Sequence, residues 1–217
     1  MSIKENLSSI LSTLPESVTL VAVSKTKPIS DLQQVYDEGQ RIFGENRVQE
    51  MTEKWEKMPK DIEWHMIGHL QRNKVKYIAE YVSLIHGVDS PRLLAEINKQ
   101  AEKHNRIISC LLQVHIAEED TKFGFDEGEL LALVENEEFK AYKHVKIVGL
   151  MGMATFTEDM SQVRREFKGL KSLYTKLENN YPNFTTLSMG MSGDYKIAIE
   201  EGSTMVRIGS SIFGTRK

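Results

Sequence analysis

A lysine ends the first apolar run of the sequence, at a position that suits carbonyl chemistry. Lys25 follows Val21 and Val23 at two-residue spacing, so all three side chains would point to one face of a strand. If that face is the inside of a barrel, an amine there loses hydration, its pKa falls and it can attack a carbonyl. Lys27 has the same spacing and stays an alternative. A solvated lysine at a strand end is the simpler interpretation of either position.

Two turns rich in glycine and serine could hold an anion. Ser192-Gly193-Asp194 and Gly209-Ser210 combine close backbone approach with N–H and hydroxyl donors. In a barrel they would follow the seventh and eighth strands, where phosphate often binds. Arg207 shares the parity of Gly209 and would point inward. A buried guanidinium needs a partner, which is either a structural salt bridge or an acceptor atom on a ligand.

Other chemistries are less favoured. His65 and His69 are four residues apart, but a strand-to-loop context removes the helical geometry of a zinc pair. The sequence has no glycine-rich nucleotide motif and no nucleophile elbow. Cys110 lies inside an apolar run and is expected to be a buried, inert thiol.

The composition is that of an ordinary soluble globular protein. Of its 217 residues 40% are apolar and 27% charged, and 28 basic against 31 acidic residues give a net charge of −3. This charge argues against general affinity for nucleic acid. A single cysteine, no signal peptide and no membrane-length apolar run predict a cytoplasmic protein. We expect one domain over residues 1–217 and, without an obvious exposed apolar stripe, a monomer.

Short apolar runs recur along the chain and predict eight strands, several of them apolar on both faces. These are Thr19–Ser24, Arg41–Gly44, Glu63–Gly68, Ser83–Val88, Ile108–Ile116, Val145–Met151, Thr185–Met189 and Thr204–Ile208.

Amphipathic stretches separate these strands. Ser30 to Gln33 has the pattern of a capping box, with Gly39 as the stop. Ser90-Pro91 predicts a second helix start. The apolar faces are Leu32, Val35 and Tyr36 in the first helix, Leu94, Ile97 and Ala101 in the second, and Val163, Phe167, Leu170, Leu173, Tyr174 and Leu177 in a third.

Alternating strands and helices predict a parallel sheet, and eight repeats favour closure into a single (β/α)₈ barrel of the TIM type. An open doubly wound sheet is the alternative. A further helix precedes the first strand, with Ile3, Leu7, Ile10, Leu11 and Leu14 on one face. We expect this N-terminal helix to cover the last strand, because only Gly209–Lys217 remain after it.

The combined motifs resemble the pyridoxal phosphate homeostasis proteins (the YggS/PROSC family) over nearly the whole chain. The matching segments are Ala22 to Pro28, Phe43 to Asn46 with Gln49-Glu50, Trp64-His65, Ile67-Gly68, Leu70-Gln71, Asn73-Lys74, His86, Val88 to Ser90, Gly149 to Met151, Leu187 to Ser192, Gly202 to Thr204 and Val206 to Gly209. Two positions depart from the family pattern. Gly87 stands where serine is frequent, and His115 stands where asparagine is common and could change the polarity of the mouth.

The resemblance implies a site for pyridoxal 5′-phosphate. Lys25 would form the Schiff base and Asn46 would lie near the cofactor ring. Arg207 would face the pyridine nitrogen, while the phosphate would be held by Ser192, Gly193, Gly209 and Ser210.

The family fold is similar to the barrel domain of alanine racemase. An arginine at the pyridine nitrogen disfavours its protonation, so the cofactor becomes a weak electron sink. Alanine racemase takes its opposite acid/base from a second domain and a partner subunit, and this chain ends at Lys217. The resemblance therefore implies a carrier in vitamin B6 and amino-acid homeostasis, without catalytic residues, whose partners are cofactor-dependent apoenzymes. A racemase-like enzyme is the alternative, and a Schiff-base aldolase a weaker one.

Overall fold

The fold is a closed ring of parallel strands, each paired with the next and the last with the first. The computed structural model describes residues 2–118, 123–179 and 181–214. The strands are β1 (Thr19–Val23), β2 (Ile42–Glu45), β3 (Glu63–Met66), β4 (Leu84–Val88), β5 (Ile108–Val114), β6 (Val145–Gly152), β7 (Thr186–Met191) and β8 (Met205–Ile208). The predicted barrel is confirmed, and the open sheet was the wrong alternative.

Helices lie between the strands around the outside of this ring. They are α1 (Ile3–Leu11), α2 (Ile29–Asp37), α3 (Val48–Lys57), α4 (Pro91–Lys103), α5 (Glu127–Glu135), α6 (Glu137–Lys140), α7 (Met160–Glu178), α8 (Tyr195–Glu200) and α9 (Ser210–Phe213). A short 3₁₀ helix, Arg72–Tyr77, connects β3 to β4. In the described part of the chain no helix is long and apolar enough to cross a membrane.

Two apolar layers hold the barrel together. The interior layer contains Val21, Leu84, Leu111, Met151 and Met205. A larger layer fills the space between the outer face of the sheet and the helices, and its bulkiest side chain is Trp64. Alternate residues of each strand enter one layer or the other, so strand parity decides which side chains reach the inside.

The predicted helix faces are largely buried, although Tyr36 is half-buried and Leu11 is exposed, and one predicted start was wrong. All the apolar positions expected in α4 and α7 are buried, and Ser90 caps α4 through the N–H of Leu93. The Ser30 capping box is absent, because α2 begins at Ile29 after Pro28 and has no side-chain cap. Pro28 occupies the cap position itself, and its ring carries no oxygen that could accept from the first N–H groups of the helix. Gly39 ends this helix with φ +96°, as expected.

The N-terminal helix is present and packs beside the last element of the chain. Ser2 and Glu5 form a reciprocal capping box at its start, and Leu7 and Ile10 are its buried residues. It contacts α9 and α2, and the Asn6 side chain donates to the carbonyl oxygen of Ile212 at 3.0 Å. Helix α1 thus fills the outer ring next to the short helix that follows β8.

A bulge interrupts the pairing of β5 with β6. The register shifts between Cys110 and Leu111, whose partners are Ile147 and Gly149. Gly149 has φ +153°, and its backbone passes directly against that of Thr186 on β7. Cys110 is fully buried and burial raises the pKa of its thiol, so the expectation of an inert cysteine is confirmed.

Candidate functional site

One cavity opens at the carboxyl ends of the strands. Its volume is about 460 Å³. All the site residues expected from the sequence line it, and these are Lys25, Asn46, Ser192, Gly193, Arg207, Gly209 and Ser210. In a parallel barrel this end collects residues from strands that are distant in sequence, which makes it the usual place for chemistry. The shared cavity therefore makes joint binding of one ligand geometrically feasible.

The two candidate lysines differ in what holds them. Lys27 Nζ donates to the carbonyl oxygens of Phe213 and Gly214, at 3.0 and 3.1 Å, so its amine is engaged at the end of α9. Both lysines line the cavity, and Lys25 follows at two-residue spacing Val21 and Val23, of which Val21 lies in the interior layer. The amine of Lys27 is thus anchored to backbone carbonyls, and Lys25 as the residue that meets a ligand stays a prediction.

The turns after β7 and β8 are tied together by one hydroxyl. Ser192 Oγ accepts from the backbone N–H groups of Gly209 and Ser211, at 3.3 and 3.4 Å. A β-carbon placed on Gly193 would meet nothing within 4 Å, so open space adjoins this turn. Converging N–H groups beside open space suit an anion. Ser211 was missed by the sequence analysis, although it directly follows the predicted Gly209-Ser210 turn.

Arg207 is buried and has polar partners other than a carboxylate. One terminal nitrogen donates to the carbonyl and hydroxyl oxygens of Ser188, at 2.9 and 2.6 Å, and the other to the carbonyl oxygen of Gly152 at 3.0 Å. Burial lowers its pKa to about 10, so it stays charged near neutral pH. A guanidinium has five N–H groups, which leaves donors beyond these three bonds for a ligand in the cavity.

A chain of buried side chains continues from Arg207 into the barrel. Ser188 Oγ lies 3.0 Å from His86 Nδ1, and His86 Nε2 lies 3.1 Å from His65 Nδ1. Because Arg207 donates to Ser188, we assign the hydroxyl proton of Ser188 to His86 and the Nε2 proton of His86 to His65. This chain of hydrogen bonds was not predicted from the sequence. The sequence feature that could have predicted it is a pair of histidines at buried positions of two neighbouring strands.

Both histidines are held neutral by burial. Burial lowers the pKa of His65 from 6.5 to about 3. It also lowers the pKa of His86 well below 6.5, and the neighbouring His65 and then Arg207 add to this effect. Neutral rings let this chain keep one direction of hydrogen bonding, which leaves the Ser188 hydroxyl oxygen available to accept from Arg207.

This arrangement predicts that acid destabilises the cofactor-free protein. Below pH 6.5 the unfolded chain binds protons on His65 and His86 that the native state does not, so stability is full above 6.5 and falls towards pH 3. Lowering the pH from about 7.5 to about 5.5 should reduce the free energy of unfolding by roughly 2–3 kcal/mol, measured by urea titration.

Two histidine variants provide the controls. His65→Gln keeps an acceptor for His86 and should lose about half of this pH dependence. His104→Gln changes an exposed histidine and should keep all of it. Equal stability of the unmodified protein at both pH values would contradict the assignment of neutral buried histidines.

Glycines allow close backbone contacts on the opposite side of the cavity. A β-carbon on Gly68 would lie 2.7 Å from Asn46, and one on Gly87 would lie 2.7 Å from the carbonyl oxygen of Gly68. Glycine at position 87, where the chain departs from the family pattern, therefore permits the close approach of β4 to this turn. Gln113 lines the cavity, whereas His115 is not among its described lining residues. The expected effect of His115 on the mouth thus has no support in the geometry.

The rim of the cavity is more apolar than the sequence suggested. Phe123, Phe156 and Met191 line it and are 55%, 95% and 36% exposed. The His69 ring stacks on Phe123 at 4.3 Å and also contacts Asp89, so His69 and His65 have different partners. No group of three or more metal-binding side chains occurs among the described residues.

Comparisons with known proteins identify relatives of this chain. The family model for the alanine racemase N-terminal domain matches residues 1–217. A pyridoxal phosphate homeostasis protein of Aquifex aeolicus is 42% identical, covering 91% of this chain and 87% of its own. One from Pasteurella multocida is 38% identical, covering 100% and 98%.

Solved structures give the same result. PipY of Synechococcus elongatus, solved with PLP bound, has a TM-score of 0.89 and 35% identity, covering 98% of this chain and 100% of its own. Alanine racemase of Clostridium difficile shares the fold alone, with a TM-score of 0.81, 14% identity and coverage of 99% of this chain and 56% of its own. By full-length similarity to its curated relatives, this chain belongs to the pyridoxal phosphate homeostasis protein family.

Proposed function

We propose that this protein holds pyridoxal 5′-phosphate reversibly on Lys25 and acts as a carrier of the cofactor. The cofactor supplies an aldehyde that forms a Schiff base with a lysine amine, and a phosphate that needs an anion site. The names of the relatives and the bound PLP of PipY support this assignment.

The observation that carries the proposal is the shared cavity of Lys25, Arg207 and the Ser192 turn. The functional groups of the cavity match those of a phosphorylated aldehyde. Lys25 offers the amine, and the backbone N–H groups of Gly209 and Ser211, which share Ser192 Oγ as their acceptor here, would also donate to a phosphate bound beside that turn. Gly193, Gly209 and Ser210 belong to the same two turns, and Asn46, which would lie near the cofactor ring, also lines the cavity. The buried charge of Arg207 adds attraction for an anionic ligand.

Arg207 would limit the chemistry that the bound cofactor performs. Its guanidinium stays charged, and Ser188 and Gly152 hold it in place. A ring nitrogen beside this charge would resist protonation, because two positive charges would meet. A cofactor with an unprotonated ring withdraws electrons weakly, which suits storage and delivery better than turnover.

Storage and delivery imply partners. We infer that the protein is not an enzyme, and that apoenzymes requiring the cofactor receive it. The homeostasis names of the relatives support this inference. A cytoplasmic location and a monomeric state stay predictions of the sequence.

Borohydride trapping tests the attachment. Purified protein mixed with pyridoxal phosphate should develop a visible absorption band that disappears on reduction, with the added mass on the peptide that contains Lys25. Label on Lys27 instead would overturn the assignment. Amino-acid racemase turnover that is lost in Lys25→Ala would overturn the carrier function and favour an enzyme.

A further inference from the structure

A cluster of buried charges lies behind Lys25, between the outer face of the sheet and α3. Ser24 and Glu45 are fully buried and Lys54 almost so. Lys54 Nζ donates to the carbonyl oxygen of Ser24 at 2.8 Å and to Oε1 of Glu45 and of Glu50, both at 2.7 Å. An ammonium group has three donors, and each one has an acceptor here.

This cluster binds the residues on both sides of Lys25. Ser24 contributes its carbonyl oxygen to Lys54, and its hydroxyl donates to Glu45 Oε1 at 2.6 Å. The backbone N–H of Thr26 donates to Glu50 Oε1 at 2.5 Å. Lys25 lies between these two anchored residues, and its own side chain lines the cavity on the other side of the strand end.

The backbone of this segment is strained. Thr26 has φ 64°, in the left-handed region that β-branched residues rarely adopt. Such a conformation persists only where the surroundings impose it, and these sites often serve function. The hydrogen bond from Thr26 to Glu50 is a direct restraint on this turn.

The cluster is a costly way to stabilise a fold. Two carboxylates share one ammonium, and Glu45 Oε2 is buried without a hydrogen-bond partner in the described structure. Burial raises the pKa of Glu45 even though Lys54 and Ser24 oppose the shift. Apolar side chains of similar size often stabilise such a location as well or better. Because apolar packing would stabilise the fold at lower cost, we infer that the charged cluster has a role other than stability.

We propose that Lys54, Glu45 and Glu50 are positioning residues, which hold the Ser24–Thr26 backbone so that the Lys25 amine stays directed into the cavity. The inference rests on the proposed function, in which Lys25 carries the cofactor. Glu50 acts through Thr26, whereas Lys54 and Glu45 act through Ser24. Loss of the restraint leaves the site present but poorly oriented, and small misplacements of a reacting group have large effects on rate.

Glu50→Ala is the primary test, because Glu50 is 22% exposed and its removal leaves the Lys54–Glu45 pair intact. The trapping rate on Lys25 should fall about 10- to 100-fold. At equal attachment, the circular dichroism of the visible band should also shrink, because a loosely held chromophore loses its fixed asymmetric surroundings. Thermal unfolding of each variant reports the fraction that is folded.

Three further variants extend the test, and the first two separate the orientation of Lys25 from charge and from general damage to α3. Glu50→Gln keeps a carbonyl acceptor for the Thr26 N–H and should retain a rate and dichroism close to the unmodified protein. Glu53→Ala changes an exposed glutamate of the same helix and should alter neither. Lys54→Met should lower the trapping rate and the dichroism of its folded fraction below those of Glu50→Ala.

The outcomes are distinguishable. A Glu50→Ala protein with the unmodified rate and dichroism overturns the positioning role, while normal trapping leaves the proposed function intact. Equal losses in Glu50→Gln and Glu50→Ala overturn the role of the Thr26 hydrogen bond. Absence of attachment on Lys25 in the unmodified protein overturns the proposed function and this inference together.

Discussion

Replacing Lys25 with alanine should abolish borohydride-stable attachment of pyridoxal phosphate completely. The remaining groups of the cavity, chiefly Arg207 and the Ser192 turn, still attract the anion. Noncovalent binding should therefore persist but weaken by at least about 100-fold, which corresponds to roughly 2.7 kcal/mol. Intact-mass spectrometry after reduction measures the attachment, and equilibrium dialysis measures the affinity.

Two matched variants define what Lys25 contributes. Lys25→Arg keeps the positive charge without a reactive amine, so it should bind more tightly than Lys25→Ala while also failing to attach. Lys27→Ala should retain full attachment and lose stability instead, because the Phe213 and Gly214 carbonyls lose their donor. If Lys25→Ala still attached the cofactor and Lys27→Ala did not, the assignment of the two lysines would be reversed.

Gly149→Ala should be the most destabilising small substitution in the barrel. A β-carbon at this position would lie 1.7 Å from the carbonyl oxygen of Thr186, and the backbone has φ +153°. The obstacle is backbone on β7, so no side-chain rotation relieves it. We expect a loss of about 4 kcal/mol or more in the free energy of unfolding, or failure to fold, measured by urea titration and by yield of folded protein.

Gly169→Ala is the matched control for this substitution. Gly169 lies inside α7, is exposed, and a β-carbon there meets nothing within 4 Å. Alanine should stabilise the protein by about 0.5–1 kcal/mol, because it costs less conformational entropy in a helix than glycine. A Gly149→Ala protein as stable as the unmodified one would show that β6 and β7 can separate without penalty at the bulge.

The barrel could be predicted because its signals are local. Each strand is a short apolar run, and alternation with helices already implies parallel pairing. Features that depend on contacts could not be predicted. The capping box expected at Ser30 has a suitable sequence, yet Pro28 starts the helix earlier. The bulge opposite Gly149 and the close approach of Gly149 to Thr186 depend on how the strands pair, which no periodicity reports.

The site was predictable in part for the same reason. Strand parity directed Lys25 and Arg207 inward, and both line the cavity. The groups that support them were missed, since each contact joins residues that are distant in sequence. Ser188 and His86, for example, are 102 positions apart. Lys54 had a usable signal, because it continues the buried positions of Val48 and Met51 along α3.

The pairing of β1 with β8 has a consequence for how the chain acquires its binding site. Contacts across this junction, such as Asn6 with Ile212 and Lys27 with Phe213, span 206 and 186 positions. Pairings of such high contact order are slow to form, because loop closure must precede them. Lys25 and Arg207 belong to the two sides of this junction, so they meet only once the ring has closed. A ligand that contacts both residues therefore binds only the closed barrel. Raising the concentration of that ligand then raises the free energy of unfolding of the chain.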